Sequence, residues 1–440
     1  MKHSQRNIIG KVIALTKQIY LMKPENESGF SSSFFAGKQP FQSFGLEWRL
    51  TKKASSLCEE IADMAISFDN QLRGGDRESF CITIKQTLQE NSGNSKLFDS
   101  NCLFLRQAET LFDARANNNN IQEFATSLWS HMHSDLVGSI SHWLILYPLR
   151  QVGSSSFNLN FDGISILSST DQDNWQKYSK HYLVGDWNPV TGYDASGSTM
   201  NDFIGVPTWL LCEVSGTALG ARQLAKSRMR TFIAILFSFL DAITPALLSK
   251  SGANVASYSI QFPSNGNCGR AMASIGELVP PLLTYPIKTL ECTLIEVQDW
   301  YTQRSQAHEK SAQRANVASH FLHYGIMDSE LDRFIHFFIT LDSLFGARSQ
   351  VEKNITAGMK HTFSGDTTWE ERAEYLFKLR NDLIHGGISQ IRDWERLDHY
   401  RRYFKSHPMN DVKTAAMIGL KNYFKLKTFE HLFTDKLSGI

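Results

Sequence analysis

Cysteine is scarce in this chain of 440 residues, and its six cysteines are scattered. No two of them have the C-x-x-C spacing that zinc sites and redox motifs use. A disulfide framework is equally unsupported, because such frameworks belong to small, cysteine-dense secreted domains. The cysteines therefore indicate neither a zinc site nor a disulfide-stapled fold. They are Cys58, Cys81, Cys102, Cys212, Cys268 and Cys292.

An excess of charge of either sign is also missing, because 45 basic residues face 44 acidic ones. The formal net charge of +1 argues neither for nor against a nucleic-acid partner. Residues 1–23 are basic throughout and lack an apolar core, so we expect no secretory signal and a cytoplasmic protein. A phosphate-binding loop is missing as well, since no Gly-Lys-Ser/Thr follows Gly216-x-x-x-Gly220.

The chain has the composition of a folded protein, with 42% hydrophobic and 12% aromatic residues. Its length exceeds what one compact core needs, so two or three domains are expected. The patterns predict an α+β, predominantly helical fold in three parts. These are a mostly helical N-terminal region over residues 1–152, a mixed α/β region over 153–303, and an all-α bundle over 304–440.

Helices are predicted in the N-terminal region over Leu46–Phe68, Leu103–Ala116 and Ile121–Val152, with Pro148 ending or kinking the last of them. This last segment carries four residues of types that bind metals. Neighbouring histidines two apart on a helix face different directions, so tertiary contacts or buried hydrogen bonds explain them better than a metal site does. The four are His131, His133, Asp135 and His142.

Apolar and polar residues alternate in the middle region, which predicts strands. The predicted strands are residues 157–161 and 164–167, forming a hairpin, and 181–184, 208–214 and 255–262. Thr231–Leu248 is an apolar stretch, but it is short for a membrane span and contains Asp241, whose charge is costly in lipid. We therefore favour a buried helix there over a membrane-associated sensor.

The C-terminal region is predicted to be helical throughout. Helices are expected over Ser329–Phe345 and Thr368–Ile384, with a loop over residues 346–367 between them and closing helices over Trp394–Phe404 and Asp411–Phe433. The helix over Thr368–Ile384 consists largely of good helix formers and carries an apolar stripe. The glycine pair after residue 385 is a strong stop signal. The stripe consists of Leu376, Leu379, Leu383 and Ile384.

Arg380, Asn381 and His385 lie beside that stripe at the end of the helix. The helix dipole favours a protonated His385 there by a few tenths to about 1 kcal/mol. An imidazole that titrates near neutral pH suits general acid–base catalysis. Arg380 supplies a permanent planar cation that matches phosphate oxygens. These residue types together suit cleavage of a phosphodiester without a metal.

The stretch from Arg380 to His385 resembles the Arg-polar-x-x-x-His signature of HEPN domains, and its context resembles the ApeA-like branch of that family. Leu331–Gly346 resembles the first helix of the branch, and Tyr375–Gly387 resembles its Arg/His helix, including the His-Gly end. The Arg-x4-His spacing alone arises often by chance. Both segments in order, with glycine after the histidine, make the resemblance specific, and it covers about the last third of the chain.

The resemblance implies a metal-independent endoribonuclease, without cofactor, in which the RNA 2′-hydroxyl attacks the adjacent phosphate and leaves a 2′,3′-cyclic phosphate. Catalysis would fall to Arg380, His385 and Asn381, with Asp342 and Asp382 in supporting positions. Arg380 and His385 lie about 140° apart around one helix, and the family pairs two such helices. No second motif occurs here in matching context, so a homodimer through these helices is expected.

The implied role is that of an anti-phage, abortive-infection or toxin-type effector. In this picture residues 1–303 respond to a trigger or regulatory partner, such as a phage-derived one, and hold the nuclease off. The alternative is a non-catalytic module that binds RNA or mediates dimerisation in a defence complex. The intact set of Arg380, Asn381 and His385 favours catalysis, because a scaffold does not need all three.

Basic residues outnumber acidic ones locally, by ten to six over Ile391–Ile440, and aromatic residues are interleaved with them. This mixture suits contact with RNA phosphates and bases, or it forms an amphipathic helix with a solvated basic face. RNA, transfer RNA included, is expected to contact Lys378, Arg401 and Arg402. The interleaved aromatic residues are Tyr400, Tyr403, Phe404, Tyr423 and Phe424.

Overall fold

The computed structural model describes most of the chain. The described residues are 3–21, 30–35, 47–92, 96–99, 108–116, 120–149, 156–182, 206, 208–240, 257–265, 272–276, 287–328, 330–346 and 350–426. Within these ranges lie 13 α-helices and two small sheets, and helical residues predominate. This confirms the predicted α+β, predominantly helical class.

The helices and strands are numbered in chain order. The helices are α1 His3–Thr16, α2 Lys52–Phe68, α3 Arg77–Asn91, α4 Ile121–Gly138, α5 Gln172–His181, α6 Ala218–Leu240, α7 Ile287–Gln306, α8 Glu309–Met327, α9 Glu330–Phe345, α10 Val351–Thr362, α11 Trp369–Ile384, α12 Leu397–Phe404 and α13 Pro408–Asn422. The strands are β1 Ile19–Tyr20, β2 Phe30–Phe35, β3 Glu47–Thr51, β4 Ser141–Leu149, β5 Phe157–Asn158, β6 Ile164–Ser168, β7 Thr208–Gly216, β8 Ser257–Pro263 and β9 Met272–Gly276.

The chain divides into two compact units. The first comprises Met1–Leu144, Val214–Leu224 and Pro263–Arg270, and the second comprises Ile145–Glu213, Ala225–Phe262 and Ala271–Ile440. The domain boundaries predicted near residues 152 and 303 stay a prediction.

Four helices and a three-stranded antiparallel sheet of order β1-β3-β2 build the first unit. Helices α1 and α3 each pack against α2 and α4 around a core that includes Val12, Ile61, Phe80 and Phe124. The hydroxyl of Thr51 accepts a hydrogen bond from the backbone N–H of Ala54 at 3.1 Å and so begins α2 at residue 52. The predicted helical start at residue 46 is therefore wrong, because residues 47–51 form β3.

Two further helix predictions in the N-terminal region are wrong in part. Residues 108–116 form turns and isolated bridges, such as Tyr20 with Thr110, instead of a helix. The helix predicted over Ile121–Val152 ends at Gly138, and β4 follows with Pro148 inside it. Residues 143–149 are all buried, and a short buried apolar run has the same pattern in a strand as in a helix.

A six-stranded sheet has the order β5-β6-β7-β4-β8-β9. Strands β5 and β6 pair antiparallel, which confirms the predicted hairpin, and β7 and β8 confirm the strands predicted over residues 208–214 and 255–262. The strand predicted over 181–184 is wrong at its start, because His181 ends α5; residues 183–184 lie outside the described ranges.

Helix α6 contains the first part of the apolar stretch Thr231–Leu248. Every residue from Met229 to Leu240 is buried, which confirms a buried helix as far as residue 240; the rest of the stretch lies outside the described residues. Among the helices that the structure describes, none has the length and apolarity needed to cross a membrane.

The second unit carries a helical bundle formed by α8 to α13. Helix α9 packs against α8, α10 and α13. Its Phe345 ring lies so close to Gly358 of α10 that a Cβ there would come within 2.4 Å of the ring. The loop predicted over residues 346–367 is therefore wrong in its centre, because residues 351–362 form α10. This helix packs against α11, which carries Arg380.

Candidate functional site

Helix α11 is held in the bundle by one apolar face. Phe377 packs edge-on against Phe338 of α9, with ring centroids 4.8 Å apart. The predicted stripe is confirmed at Leu376, Leu379 and Leu383, which are buried. It is wrong at Ile384, because 49% of that residue is exposed.

Polar residues define where α11 begins. The carboxylate of Asp366 accepts hydrogen bonds from the backbone N–H of Thr368 at 2.9 Å and from its hydroxyl at 2.7 Å. Glu370 and Glu371 follow in the first turn, where the helix dipole favours negative charge.

The glycine pair ends α11 as predicted. The backbone N–H of His385 still bonds to the carbonyl of Asn381 at 2.9 Å, and Gly386 then turns left-handed with φ of 75°. The N–H of Gly387 returns to the carbonyl of Asp382 at 2.8 Å, which closes the C-terminal cap. His385 consequently lies at the cap itself, exposed to solvent.

Arg380 is half-buried and held by two contacts. Its Nη1 donates a hydrogen bond to Oδ1 of Asn381 at 3.0 Å. Its Cζ lies 6.0 Å from the centroid of the Phe338 ring, at the outer limit of a cation–π contact. The amide oxygen of Asn381 thus accepts a hydrogen bond from the guanidinium of its neighbour in sequence.

Lys378, Asn381 and His385 share another face of α11. They follow one another at spacings of three and four residues, which places them side by side along the helix, and all three are exposed. Arg380 projects about 140° away from His385 around the helix. Within one chain, Arg380 therefore bonds to Asn381, and Asn381 lies on the same face of α11 as His385.

The two supporting carboxylates have different surroundings. Asp382 accepts a hydrogen bond from the indole of Trp394 at 3.0 Å, so it fastens the segment that follows the helix. Asp342 is exposed on α9, and its backbone carbonyl bonds to Gly346. Between the described side chains, no hydrogen bond or ion pair joins Asp342 to Arg380 or His385.

A buried polar network ties α11 to the two closing helices. The carboxylate of Asp411 on α13 accepts hydrogen bonds from Arg372 at 2.7 Å and from the Tyr400 hydroxyl at 2.6 Å. Burial, and then the neighbouring Asp411 charge, raise the pKa of Tyr400. Sequence patterns missed this network because its members come from three helices.

An exposed aromatic stack also escaped the sequence patterns, because it joins two helices. The rings of Tyr375 and His399 lie 5.7 Å apart, and those of His399 and Tyr403 lie 5.8 Å apart, at interplanar angles of 24° and 11°. The Nζ of Lys378 lies 5.4 Å from the Tyr375 ring centroid. We call Tyr375, His399 and Tyr403 the aromatic stack.

The basic and aromatic C-terminal segment divides into core and surface. Tyr400, Phe404 and Tyr423 are buried, which fits the amphipathic-helix interpretation, whereas 55% of Tyr403 is exposed. Arg401 and Arg402 are exposed on α12. The exposed part of this segment therefore includes Arg401, Arg402 and Tyr403.

Two of the three histidines in the helix predicted over residues 121–152 make hydrogen bonds. Nε2 of His133 lies 2.6 Å from the Asp69 carboxylate, and Nδ1 of His142 lies 2.8 Å from the Ser215 hydroxyl. The pairing with His133 lowers the pKa of Asp69. These bonds confirm tertiary contacts for His133 and His142, whereas His131 is exposed. The described residues contain no cluster of three or more metal-binding side chains.

No family model, curated protein or solved structure matches this chain. The resemblance to HEPN domains therefore rests on the residues of Leu331–Gly346 and Tyr375–Gly387 themselves.

Proposed function

We propose that this protein is a metal-independent endoribonuclease with its site at the end of α11. One observation carries the proposal: Arg380 is fixed on Asn381 at 3.0 Å while His385 stands exposed at the cap of the same helix. An oriented cation and an accessible imidazole suit phosphodiester cleavage once they reach the same phosphate, because the first stabilises the phosphorane charge and the second transfers protons.

The proposed reaction needs only groups of the chain and the RNA. A neutral His385 imidazole takes the proton of a 2′-hydroxyl, and the 2′-oxygen attacks the adjacent phosphorus. Arg380 binds the non-bridging oxygens as their charge grows. The bond to the 5′-oxygen then breaks, and the imidazolium formed on His385 in the first step gives its proton to that oxygen. The products are a 2′,3′-cyclic phosphate and a 5′-hydroxyl.

A second copy of the chain would complete the site. Arg380 and His385 point about 140° apart on one helix, so two α11 helices facing each other would bring an arginine and a histidine to one phosphate. Ile384, beside His385, is 49% exposed and offers an apolar contact for such a pairing.

RNA cleavage in the presence of chelator tests the proposal. Total RNA and a transfer RNA pool serve as substrates for the wild type, Arg380→Ala and His385→Ala. Loss of the acid–base group should reduce cleavage by about 10²–10⁴-fold. The matched controls are Arg392→Ala and His131→Ala, which remove an exposed arginine and an exposed histidine elsewhere and should cleave like wild type.

Three outcomes would contradict the proposal. Equal cleavage by wild type and site variants would identify a contaminating nuclease, and loss of cleavage in chelator would contradict a metal-independent mechanism. Absence of cleavage by the full chain and by residues 304–440 alone, with RNA binding intact, would instead support the non-catalytic RNA-binding or dimerisation module.

From the resemblance alone we also propose a role as an anti-phage or toxin-type effector, held off by residues 1–303 until a trigger arrives. Expression in a bacterial host with and without phage tests this role. Wild type should lower plaque counts or arrest growth, and His385→Ala should do neither. A nontoxic wild-type protein that leaves plaque counts unchanged would contradict it.

A further inference from the structure

The aromatic stack is built as an open-ended surface. Its order along α11 follows from its contacts: the Tyr403 hydroxyl donates a hydrogen bond to Glu371, which raises the pKa of Tyr403, and His399 stacks on Tyr375. Tyr403 thus lies toward the start of α11 and Tyr375 lies one turn further on. His399 stacks on both tyrosine rings, and Tyr403 ends the stack with 55% of its surface exposed.

The stack lines up with the proposed catalytic groups. Tyr375, Lys378, Asn381 and His385 recur at spacings of three, three and four, so they share one face of α11. From Glu371, beneath Tyr403, to His385 the helix rises about 21 Å. That length matches about six nucleotides at a stacked spacing near 3.4 Å.

The charges on this face of α11 favour contact with an RNA phosphate at Lys378. Lys378 lies between the stack and Asn381, exposed, with its ammonium over the Tyr375 ring. Arg401 and Arg402 are exposed on α12 beside Tyr403 in sequence. Of the exposed acids, Glu371 is engaged by the Tyr403 hydroxyl, whereas Glu374 and Asp398 remain on the surface and reduce the local excess of positive charge.

We propose that the aromatic stack is a platform for single-stranded RNA, with one base continuing the stack on the exposed ring of Tyr403 and a phosphate on Lys378. Aromatic rings accept any base by stacking, whereas a duplex keeps its base faces covered. The strand then runs along α11 toward Asn381 and His385. Only this last point, the path to the scissile phosphate, rests on the proposed function.

Binding of RNA to the full chain carrying His385→Ala, which prevents cleavage, tests the platform. Fluorescence anisotropy would use a labelled single-stranded RNA of roughly twelve nucleotides, within the range that such surfaces occupy, and a duplex of the same length. Tyr403→Ala should weaken binding of the single strand by about 5- to 100-fold. Tyr403→Trp, which restores a stacking face, should bind like the His385→Ala parent.

Two matched controls separate stacking from general surface effects. Phe68→Ala removes another exposed aromatic ring, 58% exposed, and should leave binding unchanged. Lys378→Ala should weaken binding of the single strand, whereas Arg392→Ala, an exposed cation outside this face, should have little effect. Duplex binding should be the same for Tyr403→Ala and the parent.

The platform is overturned if Tyr403→Ala binds the single strand like Phe68→Ala, if it loses duplex binding equally, or if the parent binds no RNA. Cleavage by wild type combined with an unchanged Tyr403→Ala affinity would retain the nuclease and remove the platform. Affinity that depends on Tyr403, without cleavage by wild type, would retain the platform and remove the nuclease.

Discussion

At the scale of single residues, one backbone angle decides where His385 lies. Gly386 follows it with φ of 75°, and a Cβ added there would meet nothing within 4 Å. Steric contact therefore does not restrict the residue type at position 386, but the left-handed backbone conformation does. The left-handed turn lets the chain fold back so that Gly387 can cap the carbonyl of Asp382.

Gly386→Ala should lower the free energy of unfolding by about 1–2 kcal/mol, because an L-residue is strained in the left-handed region. Cleavage should fall too, since the cap that holds His385 must shift. The matched control is Gly365→Ala, where a Cβ also meets nothing and φ is not left-handed. Urea unfolding measures both, and equal stability of the two variants would contradict the assigned role of φ.

Asp76 is a buried carboxylate whose hydrogen bonds outweigh its burial. Burial pushes its pKa up, but bonds from Ser79, Thr217 and the Gly220 N–H bring the pKa below its ordinary value of 3.8. A carboxyl whose pKa is lower in the folded state stabilises the fold fully above its unfolded pKa. That contribution is lost as the pH falls through the folded pKa.

Asp76→Ala should therefore lower the free energy of unfolding at neutral pH by about 1–2 kcal/mol, since Asp76 also caps α3. The difference from wild type should shrink as the pH falls below 3.8. Glu78→Ala, an exposed acid in the same first turn, should change stability by less than about 0.5 kcal/mol. A difference that is constant with pH would contradict the account.

At the scale of helices, the hydrogen bonds from Arg372 and Tyr400 to Asp411 hold α12 and α13 against α11. We call these three residues the Asp411 network. The side chains of Arg372 and Asp411 are only 14% and 9% exposed, and Arg372 also bonds to Thr368. Charged groups this far from water are stabilised only while their partners remain in place. The aromatic stack depends on the Asp411 network, because α12 supplies two of the three rings of the stack.

Asp411→Ala should destabilise the protein by about 3–5 kcal/mol, because it leaves the Arg372 charge and the Tyr400 hydroxyl buried without their acceptor. The control is Asp393→Ala, which removes an exposed pair with Arg392 at 3.9 Å and should change stability by less than about 1 kcal/mol. Thermal unfolding compares the two variants. Similar losses of stability would show that the Asp411 network stabilises the fold no more than a surface ion pair does.

The sequence predicted the elements whose signals are local. Helix α11 and its end were predictable because helix formers, a leucine stripe and a glycine pair agree over a short stretch. Strand β4 was mistaken for helix because its apolar run lacks a period. Helix α10 was missed between two stronger helices, although Ile355 and Met359 recur at helical spacing and are buried.

In the candidate site, too, contacts between distant segments could not be predicted from local sequence signals. Arg380 and Asn381 were both predicted as site residues, but the hydrogen bond between them was not, because the side-chain conformations that form it cannot be read from the motif. Asp382 was predicted as a supporting carboxylate, yet its partner, Trp394, lies beyond the turn. Likewise, nothing in the sequence pattern places His399 over Tyr375, because that contact depends on how α12 packs against α11.

At the scale of the whole molecule, the proposed nuclease site needs two copies of the chain. Ile384→Asp should convert a dimer to a monomer and reduce cleavage, because it places a charge in the proposed contact between α11 helices. Ile82→Asp, at an isoleucine of similar exposure (51%), should leave the dimer intact. Light scattering measures both, and a wild type that is monomeric at every concentration would contradict the composite site.

The most direct test of the central claim concerns the nucleophile. After the cut site in a defined RNA is mapped, the 2′-hydroxyl of the nucleotide preceding the cut is replaced by hydrogen, and the reaction is repeated in chelator. The account predicts that cleavage at that position stops while neighbouring cuts continue, and that the unmodified RNA ends in a 2′,3′-cyclic phosphate. Continued cleavage at the 2′-deoxy position would contradict attack by the 2′-hydroxyl, and with it the roles assigned to Arg380 and His385.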